Sequence, residues 1–263
     1  MNNVIDLNKE KKKYRFRLTG NQLKWIALIT MIIDHVGAFL IEPYVYSAIG
    51  MSNPDGSPIL LGLAYLTRGI GRIAMPLFAL LIAEGYQHTS NIKGYAKRLF
   101  VLALASEIPY DLARTGQMFD FSSQNILWSF LIAILVVDMF DISSETTTDN
   151  VILAVIGSGI VANLVNAEYN SLVNGLTFVT PTIVLYTYLY GRFEKHRQRM
   201  RQFALINSIV NILQFPSVHI SSLLMVQYNG RKGKQSMRNA YWVYPIQFVV
   251  FYMLQSILIY YLL

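Results

Sequence analysis

The chain has 263 residues, of which 54% are hydrophobic, 13% aromatic and only 14% charged. An ordinary soluble domain has roughly 25% charged residues, so this composition indicates a membrane protein. The absence of cysteine excludes disulfides, thiolate metal sites and a cysteine nucleophile. The net charge of +7 does not indicate a nucleic-acid partner, because the basic residues fall in short runs between apolar segments.

The first predicted elements are a basic cytoplasmic tail, residues 1–22, and an apolar helix at residues 23–41. About 20 apolar residues are needed to cross a bilayer, and this stretch has that length. It lacks the small-residue cleavage pattern of a signal peptide, so we expect it to be retained. Asp34 and His35 lie inside it. Inserting an ionisable side chain at that depth costs on the order of 3 kcal/mol, which indicates that both residues are retained for a function.

The second apolar helix is predicted at residues 68–89. It too contains ionisable residues, namely Arg68, Arg72, Glu84 and His88. Residues 42–67 form the predicted outward loop before it. Within that loop residues 59–66 are apolar but too short to cross a bilayer, so they are predicted to lie along the membrane interface.

The rest of the chain predicts an all-α polytopic bundle of about 8–9 transmembrane helices, with residues 23–263 forming one membrane domain. Basic runs mark cytoplasmic loops, and nine crossings place all of them on one side with the N-terminus inside. The predicted later spans are residues 99–113, 125–140, 151–168, 175–190, a hairpin at 202–228, and 241–263.

Counting residues along antiparallel helices predicts two polar layers. Asp34, His35, Arg68 and Arg72 form the layer toward the outside. Glu84 and His88 form the layer toward the inside, together with Lys97 and Arg98, which begin the next segment. The membrane interior therefore contains two sets of groups that can move protons or hold anions.

The chemistry of these residue types is specific. An imidazole of ordinary pKa, about 6.5, can take a proton from an amine or hydroxyl at neutral pH. An arginine beside it can bind a phosphate or stabilise an oxyanion. Asp34 and His35 point about 100° apart on a helix, so they are not expected to form a hydrogen-bonded dyad. We expect Asp34 to pair with Arg72 or Arg68, and His35 to face a cavity.

Structural interpretations of the same residues remain open. An ion pair of Asp34 with Arg72, or an interhelical hydrogen bond from His35, would serve packing alone. Glu84 and His88 are four residues apart and can contact each other on one helical face. They could also bind a metal, but no third ligand is evident, so no metal is expected.

Several blocks of the sequence resemble the TraX family of bacterial membrane proteins. The most distinctive is RGIGRIAMPLFALLIAEGYQHT at residues 68–89, and the resemblance covers most of the chain from Lys24 onward. The other matching positions are MIIDHVG at residues 31–37, Tyr95, Arg98, Leu99, Pro109, Asn125, Tyr169, Gly175, YNGRKG at residues 228–233, Tyr244 and Pro245.

The family is named for a conjugation protein that acetylates the amino terminus of pilin, and its members are similar to multispan acyl-CoA-dependent acyltransferases. The resemblance implies transfer of an acetyl or other acyl group from cytoplasmic acyl-CoA to an acceptor protein, glycan or lipid in the bacterial cell membrane. It implies His35 as general base, Arg72 or Arg68 as anion partner, and Lys97 with Arg98 as ligands of the CoA phosphates. The resemblance implies three residues for catalysis, His35, Asp34 and Arg72. For binding the acyl-CoA donor it implies Arg68, Lys97, Arg98, Glu84 and His88.

One position departs from the family pattern. Members often have a histidine two residues after the Tyr-Pro pair, whereas this chain has Gln247. The departure puts activity or acceptor choice in question if that histidine is essential. A transporter or flippase that moves protons or an anionic substrate through the buried charges is the alternative function.

Overall fold

The computed structural model describes residues 18–45, 58–143, 145–167, 178–211, 216–234 and 238–262, and these are helical throughout apart from short connections. The helices in chain order are α1 Gly20–His35, continued by a π-helical segment Val36–Ile41, α2 Pro58–Gly71, α3 Ala74–His88, α4 Ile92–Thr115, α5 Leu127–Met139, α6 Thr148–Leu164, α7 Val179–Arg192, α8 His196–Val210, α9 Val218–Gln227, and α10 Val243–Leu262 after a 3-10 turn at Arg238–Trp242. The prediction of an all-α membrane bundle is confirmed. The predicted basic tail, up to residue 17, lies outside the described residues.

The start of α1 is fixed by its own cap and by a distant loop. Thr19 accepts a hydrogen bond from the backbone N–H of Gln22 and completes a capping box with that residue. The next two backbone N–H groups, of Gly20 and Asn21, donate to the carbonyl oxygens of Arg231 and Lys232 at 2.8 and 2.9 Å. The helix therefore begins a few residues before the predicted boundary, and the loop after α9 is held against it.

The second membrane segment is longer than predicted. α2 and α3 together form an apolar span of 31 residues, Pro58–His88, with a break at Arg72 and Ile73. Pro76 accounts for the break, because its ring would clash with the carbonyl group four residues earlier, that of Arg72. Residues 59–66, which were predicted to lie along the membrane interface, form most of α2 and belong to this apolar span.

Three of the described helical segments are long and apolar enough to cross a bilayer: Gly20–Val45, Pro58–His88 and Ala240–Leu258. The remaining apolar helices are shorter. In the described part of the chain, the helices form nine successive segments when α2 and α3 count as one. Small residues buried between the helices, such as Ala27, Ala83 and Ala103, let the backbones approach closely.

Each end of the bundle is identified by contacts between helix termini. At one end, Tyr190 of α7 meets His88 of α3, and His196 of α8 meets the loop after α9. We call this the basic end, because the described residues of every predicted basic run lie there. At the opposite end, the far end, Gln255 of α10 donates to the carbonyl oxygens of Phe39 and Ala113.

Candidate functional site

An ion-pair network joins α2 to the first membrane segment. Arg68 Nη1 lies 2.5 Å from Asp34 Oδ2, and Arg68 Nε lies 3.2 Å from Glu42 Oε1. All three side chains are largely buried. One guanidinium therefore bridges two carboxylates from successive parts of the first membrane segment. Of the two predicted partners for Asp34, the structure has Arg68.

Two glycines make this crossing possible. A Cβ on Gly71 would lie 2.1 Å from the Cβ and Oδ1 atoms of Asp34, and a Cβ on Gly37 would lie 2.3 Å from Thr67 Oγ1. Real Cβ atoms do not approach other atoms so closely. The backbones of α1 and α2 are thus in direct contact at the level of the ion pair, as in membrane helix pairs built on small residues.

His35 turns away from this network, as predicted from the 100° step along the helix. Its ring lies among aromatic side chains of α1 and α10. The centroid distances are 5.1 Å to Phe248, 5.6 Å to Phe39, 6.3 Å to Tyr244 and 6.4 Å to Phe251. The π-helical segment begins at the next residue, Val36. Such segments are rare and are frequent at functional sites.

Arg72 lies beside this network, since its charge interacts with that of Glu42. Its side chain also lines a cavity of about 50 Å³ between α3, α7 and α8. The polar residues that share this wall are Thr182, Asn207 and Asn211. The Asn207 amide is already used in the α8–α9 hairpin, where it donates hydrogen bonds to Ser221 and Ser222 at 2.9 and 2.8 Å. Of the predicted outer layer, His35 is thus the residue that faces away from the network.

Glu84 and His88 lie at the basic end, as predicted, but they are not equivalent. Glu84 is 9% exposed, and the hydroxyl of Tyr228 donates to its carboxylate, 2.6 and 2.7 Å from the two oxygens. The His88 side chain is 63% exposed, with Nε2 3.9 Å from Glu84 Oε1 and 3.0 Å from the hydroxyl of Tyr190. Glu84 thus anchors the loop after α9, whereas His88 is accessible.

Exposed cations surround this pair. Lys97 and Arg98 lie exposed near the start of α4, and Arg98 lies 5.8 Å from the ring centroid of Tyr95. Arg231 and Lys232 are exposed in the loop after α9. A surface of this kind can bind phosphate groups through charge-assisted hydrogen bonds.

Sequence reasoning missed two acidic residues. Glu42 was placed in the outward loop, but the helix continues past it and turns it toward Arg68. Glu107 was hidden in a predicted span. Its carboxylate accepts hydrogen bonds from the amide of Asn125 and from the indole of Trp128, the latter at 2.6 Å. The signal that could have found Glu107 was a carboxylate within an apolar stretch, the same signal that identified Asp34.

A family model described as TraX protein matches residues 19–255. No curated protein matches the chain, and no solved structure matches it. The matched region extends from the cap of α1 to Gln255 in α10, so it includes the ion-pair network, the surroundings of His35, the Arg72 cavity and the basic end.

Proposed function

The chain belongs to the TraX family, and we propose that it is a membrane-embedded acyltransferase. It would move an acetyl or other acyl group from a cytoplasmic acyl-CoA to a protein amine, or to a glycan or lipid hydroxyl, at the bacterial membrane or cell surface. The observation that carries the proposal is His35, an imidazole held near the middle of a 26-residue apolar span with its ring among aromatic side chains. A nucleophilic serine or cysteine is not required for direct transfer.

The reaction balances with His35 as general base. The imidazole takes a proton from the acceptor N–H or O–H while that nitrogen or oxygen attacks the thioester carbonyl. A carbon–nitrogen or carbon–oxygen bond forms, the carbon–sulfur bond breaks, and CoA leaves as a thiolate that recovers the proton. Aromatic surroundings exclude water, so the acyl group is protected from hydrolysis.

The developing oxyanion needs a positive partner, and the family resemblance implies Arg72 or Arg68 for this role. Arg68 is bound to Asp34 and Glu42, and Arg72 lines the cavity between α3, α7 and α8. We keep both arginines as candidates for the anion, and we assign Asp34 to holding Arg68 and the α1–α2 crossing. Under this proposal Asp34 is a positioning residue.

The donor would bind with its phosphates at the basic end. Lys97 and Arg98 are exposed there, and both are suitable ligands for phosphate. His88 is accessible beside them, whereas Glu84 contributes by holding Tyr228 and the adjacent basic loop. In this orientation the basic end faces the cytoplasm, where acyl-CoA is found, and the N-terminus is cytoplasmic.

The test is binding and turnover of acetyl-CoA by the purified protein, with His35→Ala and a matched control, His219→Ala on α9. We expect the wild type and His219→Ala to bind acetyl-CoA and to acetylate an added amine or hydroxyl acceptor, with a rate that rises with pH as imidazole loses its proton. We expect His35→Ala to bind but to transfer at least a hundredfold more slowly, as general bases contribute about 10²–10⁴-fold. Failure of the folded wild type to bind acetyl-CoA or longer acyl-CoAs would reject the proposal.

The ion-pair network favours one other function. Two carboxylates and an arginine buried between apolar helices are also typical of proton or anion pathways in transporters. A transporter would show proton-coupled uptake of an anion into vesicles, and that uptake would be lost in Asp34→Asn. It would not require acyl-CoA binding.

A further inference from the structure

Gln247 lies against His35 on the interior face of α10. Tyr244, Phe248 and Phe251 all contact the imidazole ring, and Gln247 lies between them on the same helical face. On the opposite side, Gln247 Nε2 lies 4.0 Å from the sulfur of Met31, which is one helical turn before His35 on α1. The carboxamide is therefore enclosed between α1 and α10 at the level of the imidazole.

The side chains of Gln247 and His35 interact, and each has a buried polar atom without a hydrogen-bond partner in the described part of the chain. Gln247 is 7% exposed, and its Oε1 atom has no hydrogen-bond partner among the described residues. The same holds for Nδ1 of His35, which is also buried. Buried polar atoms are rarely left unpaired in native proteins. One proton on Nδ1 would satisfy both atoms, because an N–H group donates and the amide oxygen accepts.

We propose that Gln247 fixes the tautomer of His35: Nδ1 carries the proton and donates it to Gln247 Oε1, so that Nε2 keeps the free lone pair. The opposite amide orientation would place the Gln247 NH₂ group against Nδ1 and leave the proton on Nε2. The observed orientation is favoured because the NH₂ group already faces the Met31 sulfur, a weak acceptor.

This inference deepens the proposed function and, in its catalytic consequence, rests on it. A neutral imidazole accepts a proton only at the nitrogen that lacks one. With Nδ1–H committed to Gln247, the base that receives the acceptor proton is Nε2. Gln247 is then a positioning residue, comparable to the second group that orients a catalytic or metal-bound histidine through its other ring nitrogen.

The test is the ¹⁵N spectrum of the full chain in nanodiscs, labelled with [¹⁵N]histidine, at a pH well above about 6.5, the ordinary pKa of imidazole. The chain has four histidines, so the His35 signals are assigned by their loss in His35→Ala. We expect a protonated Nδ1 and an unprotonated Nε2. A protonated Nε2 in the wild type would overturn the proposal, without any activity measurement.

Variants separate positioning from packing. Gln247→Glu keeps an acceptor oxygen and should retain the Nδ1–H tautomer of His35. Gln247→Met lacks that oxygen and should lose this tautomer. It should also lower kcat by about tenfold to a hundredfold, with KM for acetyl-CoA unchanged. The matched control is Gln255→Met on the same helix, whose amide bonds only backbone carbonyls; its His35 spectrum should equal the wild-type one. An unchanged tautomer in Gln247→Met would contradict the proposal.

The two proposals fail in different ways. If the spectrum shows Nδ1–H and acetyl-CoA does not bind, the acyltransferase is rejected and the assignment of Gln247 stands. If transfer depends on His35 but the spectrum shows Nε2–H, the acyltransferase stands and the assignment of Gln247 is rejected.

Discussion

Arg68 is the residue on which the middle of the first two membrane segments depends. Its guanidinium contacts Asp34 and Glu42, and all three groups are largely shielded from solvent. Taking ions out of water costs several kcal/mol each, and the attraction between them compensates only while each retains its partner. The network is thus stable as a unit and costly when one member is removed.

Arg68→Met is predicted to destabilise the protein strongly, because it leaves two buried carboxylates without a cation. The expected loss is about 3–5 kcal/mol of unfolding free energy, read as a lowered melting temperature of the purified protein in detergent. The triple variant that adds Asp34→Asn and Glu42→Gln to Arg68→Met should recover most of the lost unfolding free energy, because none of the three buried charges then remains. Lys97→Met, which removes an exposed cation, is the control. A triple variant no more stable than Arg68→Met would contradict this account.

For individual residues, the sequence predicted which ones belong to the site but not which of them lie together. A charge within an apolar stretch identified Asp34 and Arg68, and the helical step separated Asp34 from His35 correctly. It could not decide whether Arg68 or Arg72 pairs with Asp34, because the two arginines are one helical turn apart.

The close contact between α1 and α2 determines where the ion pair lies. Gly37 and Gly71 bring the two backbones together, and the Asp34–Arg68 ion pair lies between these glycines. A larger residue at either position would have to push one helix away. The crossing and the ion pair therefore depend on each other, whereas a Cβ at Gly62 on the same helix would meet nothing within 4 Å.

Gly71→Ala is expected to separate α1 from α2, because the new methyl group would overlap Asp34. Overpacking of this kind costs about 1–3 kcal/mol, and we expect a further loss from the weakened ion pair. Gly62→Ala on the same helix is the matched control, since a Cβ there meets nothing within 4 Å. That control should be neutral or up to about 1 kcal/mol more stable, as alanine is the better helix former. Equal melting temperatures for both variants would show that the crossing is not tight.

For the whole molecule, the placement of basic runs predicted more than any single motif. Nine alternating crossings follow from placing those runs on one side. The described helices form nine successive segments when α2 and α3 count as one, and the number of crossings stays a prediction. Helix ends were predicted less well. α4 and α8 begin inside basic runs that were assigned to loops, because lysine and arginine are good helix formers and their charged ends reach the surface.

The orientation of the bundle is the remaining whole-molecule prediction, and the lack of cysteine makes it directly measurable. Single cysteines are introduced at Lys97, on the basic end, and at Gln117, which is exposed in the loop after α4 at the far end. Because basic residues remain cytoplasmic, a membrane-impermeant maleimide applied to intact spheroplasts should label Gln117→Cys and not Lys97→Cys. Both should react after permeabilisation. Labelling of Lys97→Cys alone in intact spheroplasts would invert the topology, and it would place the proposed CoA-binding surface on the side of the membrane that lacks acyl-CoA.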